Sequence, residues 1–142
     1  EGPVSPERLA KFVAACFGFN RVVSGRVAAI NGMGFPGQVR DKEQFLFPKA
    51  QNPETYSGWR KSPAGSGRSI QDVSIREIKS AMIAISEVAQ GVQPEELIRE
   101  TSRVFGVQKT SKDIAARLET AMGSAIAKGE LVEENGYLKP RR

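Results

Sequence analysis

Residues 1–30 and 90–118 of this chain carry nearly the same text. The first reads EGPVSPERLAKFVAACFGFNRVVSGRVAAI and the second QGVQPEELIRETSRVFGVQKTSKDIAARL. An offset of 88 pairs Pro6 with Pro94, Glu7 with Glu95, Leu9 with Leu97 and Phe17-Gly18 with Phe105-Gly106. One residue then drops out, and Ser24, Val27, Ala28 and Ala29 meet Ser111, Ile114, Ala115 and Ala116. Internal repetition constrains architecture more than any single residue does, because one supersecondary unit must serve twice. The unit reads as a helix-turn-helix, so two recognition-type helices are expected.

The second copy is the clearer. Ser74-Ile75-Arg76-Glu77 spells a capping box, in which the serine hydroxyl and the carboxylate three residues on satisfy each other's free backbone donors. Ile75, Ile78, Met82, Ile85 and Ala89 then share one face at helical spacing, predicting a helix from Ile75 to Ala89 that Gly91 breaks. Pro94 suits the first position of a second helix, since its missing N–H would be unpaired there anyway. Glu95 and Glu96 favour the positive end of that helix, and Gly106 would close it as a left-handed cap. A third helix is predicted from Thr110-Ser111 to Gly129, with a bend at Gly123. Asn135-Gly136 between Leu131-Val132 and Tyr137-Leu138 is a two-residue hairpin signal, because both turn positions need positive φ. Three helices and a terminal hairpin in that order spell a winged helix.

The first copy repeats the pattern without its opening helix. A helix with the stripe Leu9, Ala10, Val13, Cys16, Phe17 runs from Ser5-Pro6-Glu7 to Gly18, another covers Val23 to Asn31, and Phe45–Pro48 takes the place of Tyr137–Pro140. Nothing before Glu1 corresponds to Ser74–Ala89. The expected fold is therefore mainly α with short β-hairpins, a tandem winged-helix repeat whose first unit lacks its opening helix. Its boundaries are 1–48 for the first unit, 49–73 for a connector and 74–142 for the second unit. The connector is rich in Gly, Pro and Ser, and Trp59 with Tyr56 is expected to pin it onto one of the units. The chain does not begin with methionine, which reads as an excised C-terminal piece of something larger. The unfilled slot would also let two copies pair, as an effect of trimming as readily as by biological design.

Composition removes several function classes. The chain has no histidine and one cysteine, Cys16, so neither a disulfide framework nor a Cys/His zinc site can form within it. Cys16 is matched by Val104 and is expected to fill apolar space. Without histidine, most nucleophile–base pairs lose their usual member. No GxxxxGKS/T, GxSxG or HExxH motif is present, and no cofactor is expected. No apolar run of membrane-spanning length and no signal-like start occur, which points to a soluble cytoplasmic protein without membrane contact.

The net charge of +5 permits a polyanionic partner without demanding one. If the last helix of each unit enters a major groove, its start carries the contacts. In the second copy these are Lys109, Thr110, Ser111, Lys112 and Arg117. In the first they are Arg21, Ser24 and Arg26 beside Asn20, with Arg40 and Lys42 on the first wing. The second wing carries Glu133 and Glu134 and would repel phosphate. Thr110 and Ser111 have an equally simple use as helix caps. So few phosphate contacts predict weak DNA binding.

The opening EGP, the two FG helix ends, FLFP at Phe45–Pro48, Trp59-Arg60 and the SIREIKSAMIAI…GELVEENGYL stretch together resemble one bacterial family. It is the uncharacterised C-terminal domain of large superfamily 1 DNA helicase-like proteins, often with a Vsr-like endonuclease domain. The resemblance covers nearly the whole chain. It implies that ATPase and nuclease activity lie upstream, and that this piece is a non-catalytic accessory. Two roles are then expected. The first is weak DNA binding that guides nucleic acid to the parent enzyme. The second is docking on the helicase and nuclease domains with no nucleic-acid contact. Clustering of Arg21, Arg26, Arg40 and Lys42 would favour the first, and an exposed apolar patch in the empty helix slot would favour the second.

Overall fold

A computed structural model describes residues 2–142; Glu1, which opens the EGP run, lies outside the described residues. The chain is mainly helical with two small antiparallel hairpins. It divides into two compact units, residues 1–55 and 56–142. The stretch expected to be a connector is thus shared out, with 49–55 joining the first unit and 56–73 the second.

In the first unit, α1 (Pro6–Cys16) starts where Ser5 accepts a hydrogen bond from the Arg8 amide, 3.2 Å away, and Pro6 fills the first position. Phe17 caps its end and Gly18 leaves it with φ near +77°. The short helix α2 (Ser24–Asn31) buries no residue of its own. Strands β1 (Val39–Arg40) and β2 (Leu46–Phe47) pair antiparallel, and Val4 adds an isolated bridge to Leu46. The Asp41 carboxylate accepts from the amides of Glu43 and Phe45 and shapes the turn between the strands. The buried apolar side chains described in this unit are few: Pro3, Val4, Ala10, Ala14, Phe45, Leu46 and Phe47.

The second unit has a fuller core. α3 (Ile75–Val88), α4 (Pro94–Val104) and α5 (Lys112–Ala127) pack on one another, and the hairpin β3 (Leu131–Glu134)–β4 (Tyr137–Pro140) closes against them. Ile78, Met82, Leu97, Phe105, Leu118, Leu131 and Leu138 form the interior. Val92 bridges Leu138, 88 positions after the first unit's Val4 makes the same kind of bridge. Asn135 and Gly136 turn the hairpin with φ of 54° and 81°, as the dipeptide predicts. Helix α5 runs unbroken through Gly123, where a bend was expected. Leu118, Ala121 and Ala125 are buried on either side of it.

Half of the capping box forms. Ser74 Oγ accepts from the Glu77 amide at 3.1 Å, yet the Glu77 carboxylate turns elsewhere. Fully buried, it takes the Arg60 amide at 3.0 Å, the Arg60 side chain at 3.3 Å and the Arg68 guanidinium at 2.5 Å. Two arginines from residues 56–73 thus fasten that segment to α3. The Ser62 amide donates to the Val104 carbonyl, and Trp59 packs on the second unit's core. Tyr56 joins through its carbonyl, which accepts from Arg76 Nε and Ser80 Oγ. Burial, together with the Glu77 carboxylate, pushes the Tyr56 hydroxyl above its usual 10.0 against the opposing pull of Arg60 and Arg68. Where this segment crosses the end of α4 there is room only for glycine: a Cβ on Gly106 would lie 2.2 Å from the Ser62 carbonyl oxygen.

Candidate functional site

The ten residues expected to meet DNA fall into two groups. Arg21, Ser24, Arg26, Lys42, Lys109, Thr110, Ser111 and Lys112 are exposed. Arg40 and Arg117 are half-buried and have structural duties. Arg117 Nε and Nη2 donate to the carbonyls of Ile70 and Val73, capping the 3₁₀ turn that precedes α3. Arg40 donates to Asn31 Oδ1 at 3.2 Å, to the Asn31 carbonyl and to the Gln44 carbonyl. These bonds tie the hairpin to the C-terminal end of α2. A charge on the sequence has no direction, and free helix-end carbonyls are strong acceptors for a nearby guanidinium.

That placement separates the first unit's basic set. Arg21, Ser24 and Arg26 lie in the loop before α2 and in its first turn. Arg40 lies at the other end of α2, about 10 Å further along at 1.5 Å per residue. In the second unit, Ser111 spends its hydroxyl as the cap of α5, accepting from the Ile114 amide at 3.4 Å, which is the plain alternative use the sequence allows. Lys109, Thr110 and Lys112 stand free of such a task beside it.

A feature of a different kind sits on α1. Leu9, Phe12, Val13, Cys16 and Phe17 recur at spacings of three and four, so they share a face. In α4 the residues one repeat on, Leu97, Thr101 and Phe105, are buried beneath α3. On α1 the matching stripe is open at its C-terminal end, while Leu9 and Val13 are half-buried. Phe105 is 2% exposed and Phe17 is 75% exposed. Phe12 at 41% and Phe19 at 50% extend the bare apolar area, and Val23 and Met33 are exposed as well. Cys16, expected to be interior filling, is exposed for the same reason. The guanidinium of Arg8 lies 4.9 Å from the Phe12 ring centroid and that of Arg26 lies 4.6 Å from Phe19. Aromatic rings at a helix's unpaired face thus carry cations on them. A shallow groove of about 400 Å³ between α1 and α2 adjoins, lined by Pro6, Val27, Ala28 and Asn31 among others.

The sequence names Phe17 only as core. Phe12 and Phe19 are exposed as well, and sequence reasoning left both unremarked.

Other concave regions hold no catalytic set. One of about 890 Å³, between the end of α3 and the β3–β4 hairpin, is lined by Ile83, Ser86, Val132, Lys139 and Arg141 among others, and Lys139 is already paired with Glu134. Among the described residues no group of three His, Cys, Asp or Glu side chains could hold a metal ion, and no helix is long and apolar enough to cross a membrane. Compared with known proteins, the chain matches no family model, no curated protein and no solved structure.

Proposed function

We propose that this chain is a non-catalytic interaction module of two winged-helix-type units, the first of which docks another protein through the bare face of α1. One observation carries the reading: Phe17 is 75% exposed where Phe105, at the matching place, is 2% exposed. Soluble monomers rarely leave a contiguous apolar patch uncovered unless something binds there. The tandem winged-helix reading is supported by the paired Pro6 and Pro94 helix starts, the paired Gly18 and Gly106 exits, and the Val4–Leu46 and Val92–Leu138 bridges. On the family resemblance, the docked segment would come from the helicase or nuclease domains of a parent polypeptide.

Weak DNA contact is the second reading, and the exposed Lys109, Thr110 and Lys112 at the start of α5 favour it for the second unit. The acidic Glu133 and Glu134 on the neighbouring hairpin oppose it.

Two titrations of the full chain separate these readings. The docking probe is a 16-residue peptide of the 74–89 sequence with Arg76, Glu77, Lys79 and Glu87 all changed to Gln, so that only its apolar stripe remains. Docking predicts NMR shift changes confined to residues 9–31 on adding it, abolished by Phe17→Ala. The DNA probes are labelled duplex, forked and single-stranded oligonucleotides at about 50 and 200 mM salt. Salt-sensitive binding lost in a Lys109→Glu/Lys112→Glu variant, with no response to the peptide, would replace the docking reading with the DNA one.

A further inference from the structure

We infer that the segment received by the bare face of α1 is an amphipathic helix with acidic residues flanking its apolar stripe. The inference rests on the docking reading and adds the chemistry of the partner. Its first support is shape. Leu9, Val13 and Phe17 form a ridge along one helix, and their counterparts Leu97, Thr101 and Phe105 are buried in the second unit, where α3 packs on α4. Ridges at this spacing pack against another helix.

The second support is charge. From Pro6 to Asn31 the chain carries four basic residues, Arg8, Lys11, Arg21 and Arg26, and one acidic residue, Glu7. Lys11, Arg21 and Arg26 are exposed, and the guanidinium groups of Arg8 and Arg26 lie directly over the rings of Phe12 and Phe19. A partner that buries those rings must come within reach of the two guanidinium groups. A basic helix would set like charge against Lys11, Arg21 and Arg26, whereas a helix with Glu or Asp beside its stripe supplies carboxylates to them. The aromatic and basic mixture also matches single-stranded nucleic acid in composition. Here, however, the arginines already occupy one face of Phe12 and of Phe19, which stacked bases would need.

The test uses the full chain and three fluorescein-labelled peptides of the 74–89 sequence with the same apolar stripe. The acidic form carries Arg76→Glu and Lys79→Glu, the basic form Glu77→Lys and Glu87→Lys, and the neutral form is the four-Gln peptide. The acidic form should bind about tenfold more tightly than the basic form, as a few exposed charge pairs provide. The difference should shrink between about 50 and 500 mM salt. Phe17→Ala should weaken all three, and Arg21→Glu/Arg26→Glu should abolish the preference; both alter exposed side chains, and circular dichroism checks that the helices remain. Equal affinities for the three peptides would overturn the acidic partner and leave docking standing. No binding of any peptide would overturn both. Single-stranded DNA that binds and is lost in Phe17→Ala would assign the face to nucleic acid and overturn the inference.

Discussion

Phe17 and Phe105 are the same residue at matching places in two copies, and replacing each by alanine tests the account of what holds each unit together. Phe105 is nearly fully buried among α3, α4 and α5. Removing a buried phenylalanine side chain forfeits its transfer free energy and leaves a cavity, a loss of about 3–5 kcal/mol. Phe17 retains only a quarter of its surface in contact with the protein. Full burial of such a side chain contributes about 1.5–3 kcal/mol, so a quarter of it amounts to about 0.5 kcal/mol. The readout is built in, because Trp59 is the sole tryptophan and packs on the core of the second unit. In urea, with a slope of about 1–1.5 kcal/mol per molar for a unit this small, Phe105→Ala should lower the tryptophan midpoint by about 2 M or more. Phe17→Ala should leave that midpoint in place and shift the far-ultraviolet circular dichroism transition by less than about 0.5 M. Equal losses from the two substitutions would refute the burial argument and the docking face with it.

Two further outcomes follow from the charged groups inside the second unit. Glu77→Ala removes the carboxylate that faces the side chains of Arg60 and Arg68, the latter nearly buried itself, and should cost about 3–5 kcal/mol in the same urea assay; a loss under about 1 kcal/mol would show that these arginines find water instead. Burial alone would raise the Glu130 pKa, yet hydrogen bonds and attraction from Lys79 and Arg76 outweigh it and hold the carboxyl below its ordinary 4.5. A depressed folded-state value means stability that is present above pH 4.5 and lost as pH falls through the folded-state value. Glu130→Gln should therefore flatten the decline in stability below pH 4.5, and an unchanged decline would exclude the group as its source.

Local chemistry was legible in the residues. Ser74, Pro94 and Ser111 start helices and Asn135-Gly136 turns a hairpin because each solves a problem set by its immediate neighbours. Reach was not. Glu77 was expected to bond back to its own cap, but two arginines 17 and 9 residues upstream take its carboxylate. Arg40 and Arg117 look like any other basic residue until Asn31, Gln44, Ile70 and Val73 present carbonyls to them. Cys16 was assigned to the interior from its match with Val104, an inference that presupposes a covering helix in both copies. The connector's Gly, Pro and Ser content suggested a spacer; Trp59 signalled an anchor, but nothing in that composition announces that Ser62 would be drawn against α4.

The anchoring of residues 56–73 changes where this protein can be cut. A gene fragment opened at Ser74, the first helix cap, looks like a complete three-helix unit with its hairpin. It would nevertheless strip Glu77 of both its arginine partners, remove Ile70 and Val73 from the core, and take away the two carbonyls that hold Arg117. The portable piece begins at Tyr56. Any exchange of this unit between proteins, in the laboratory or by recombination, carries its 18-residue leader as cargo, because that leader is an interior wall of the unit it precedes.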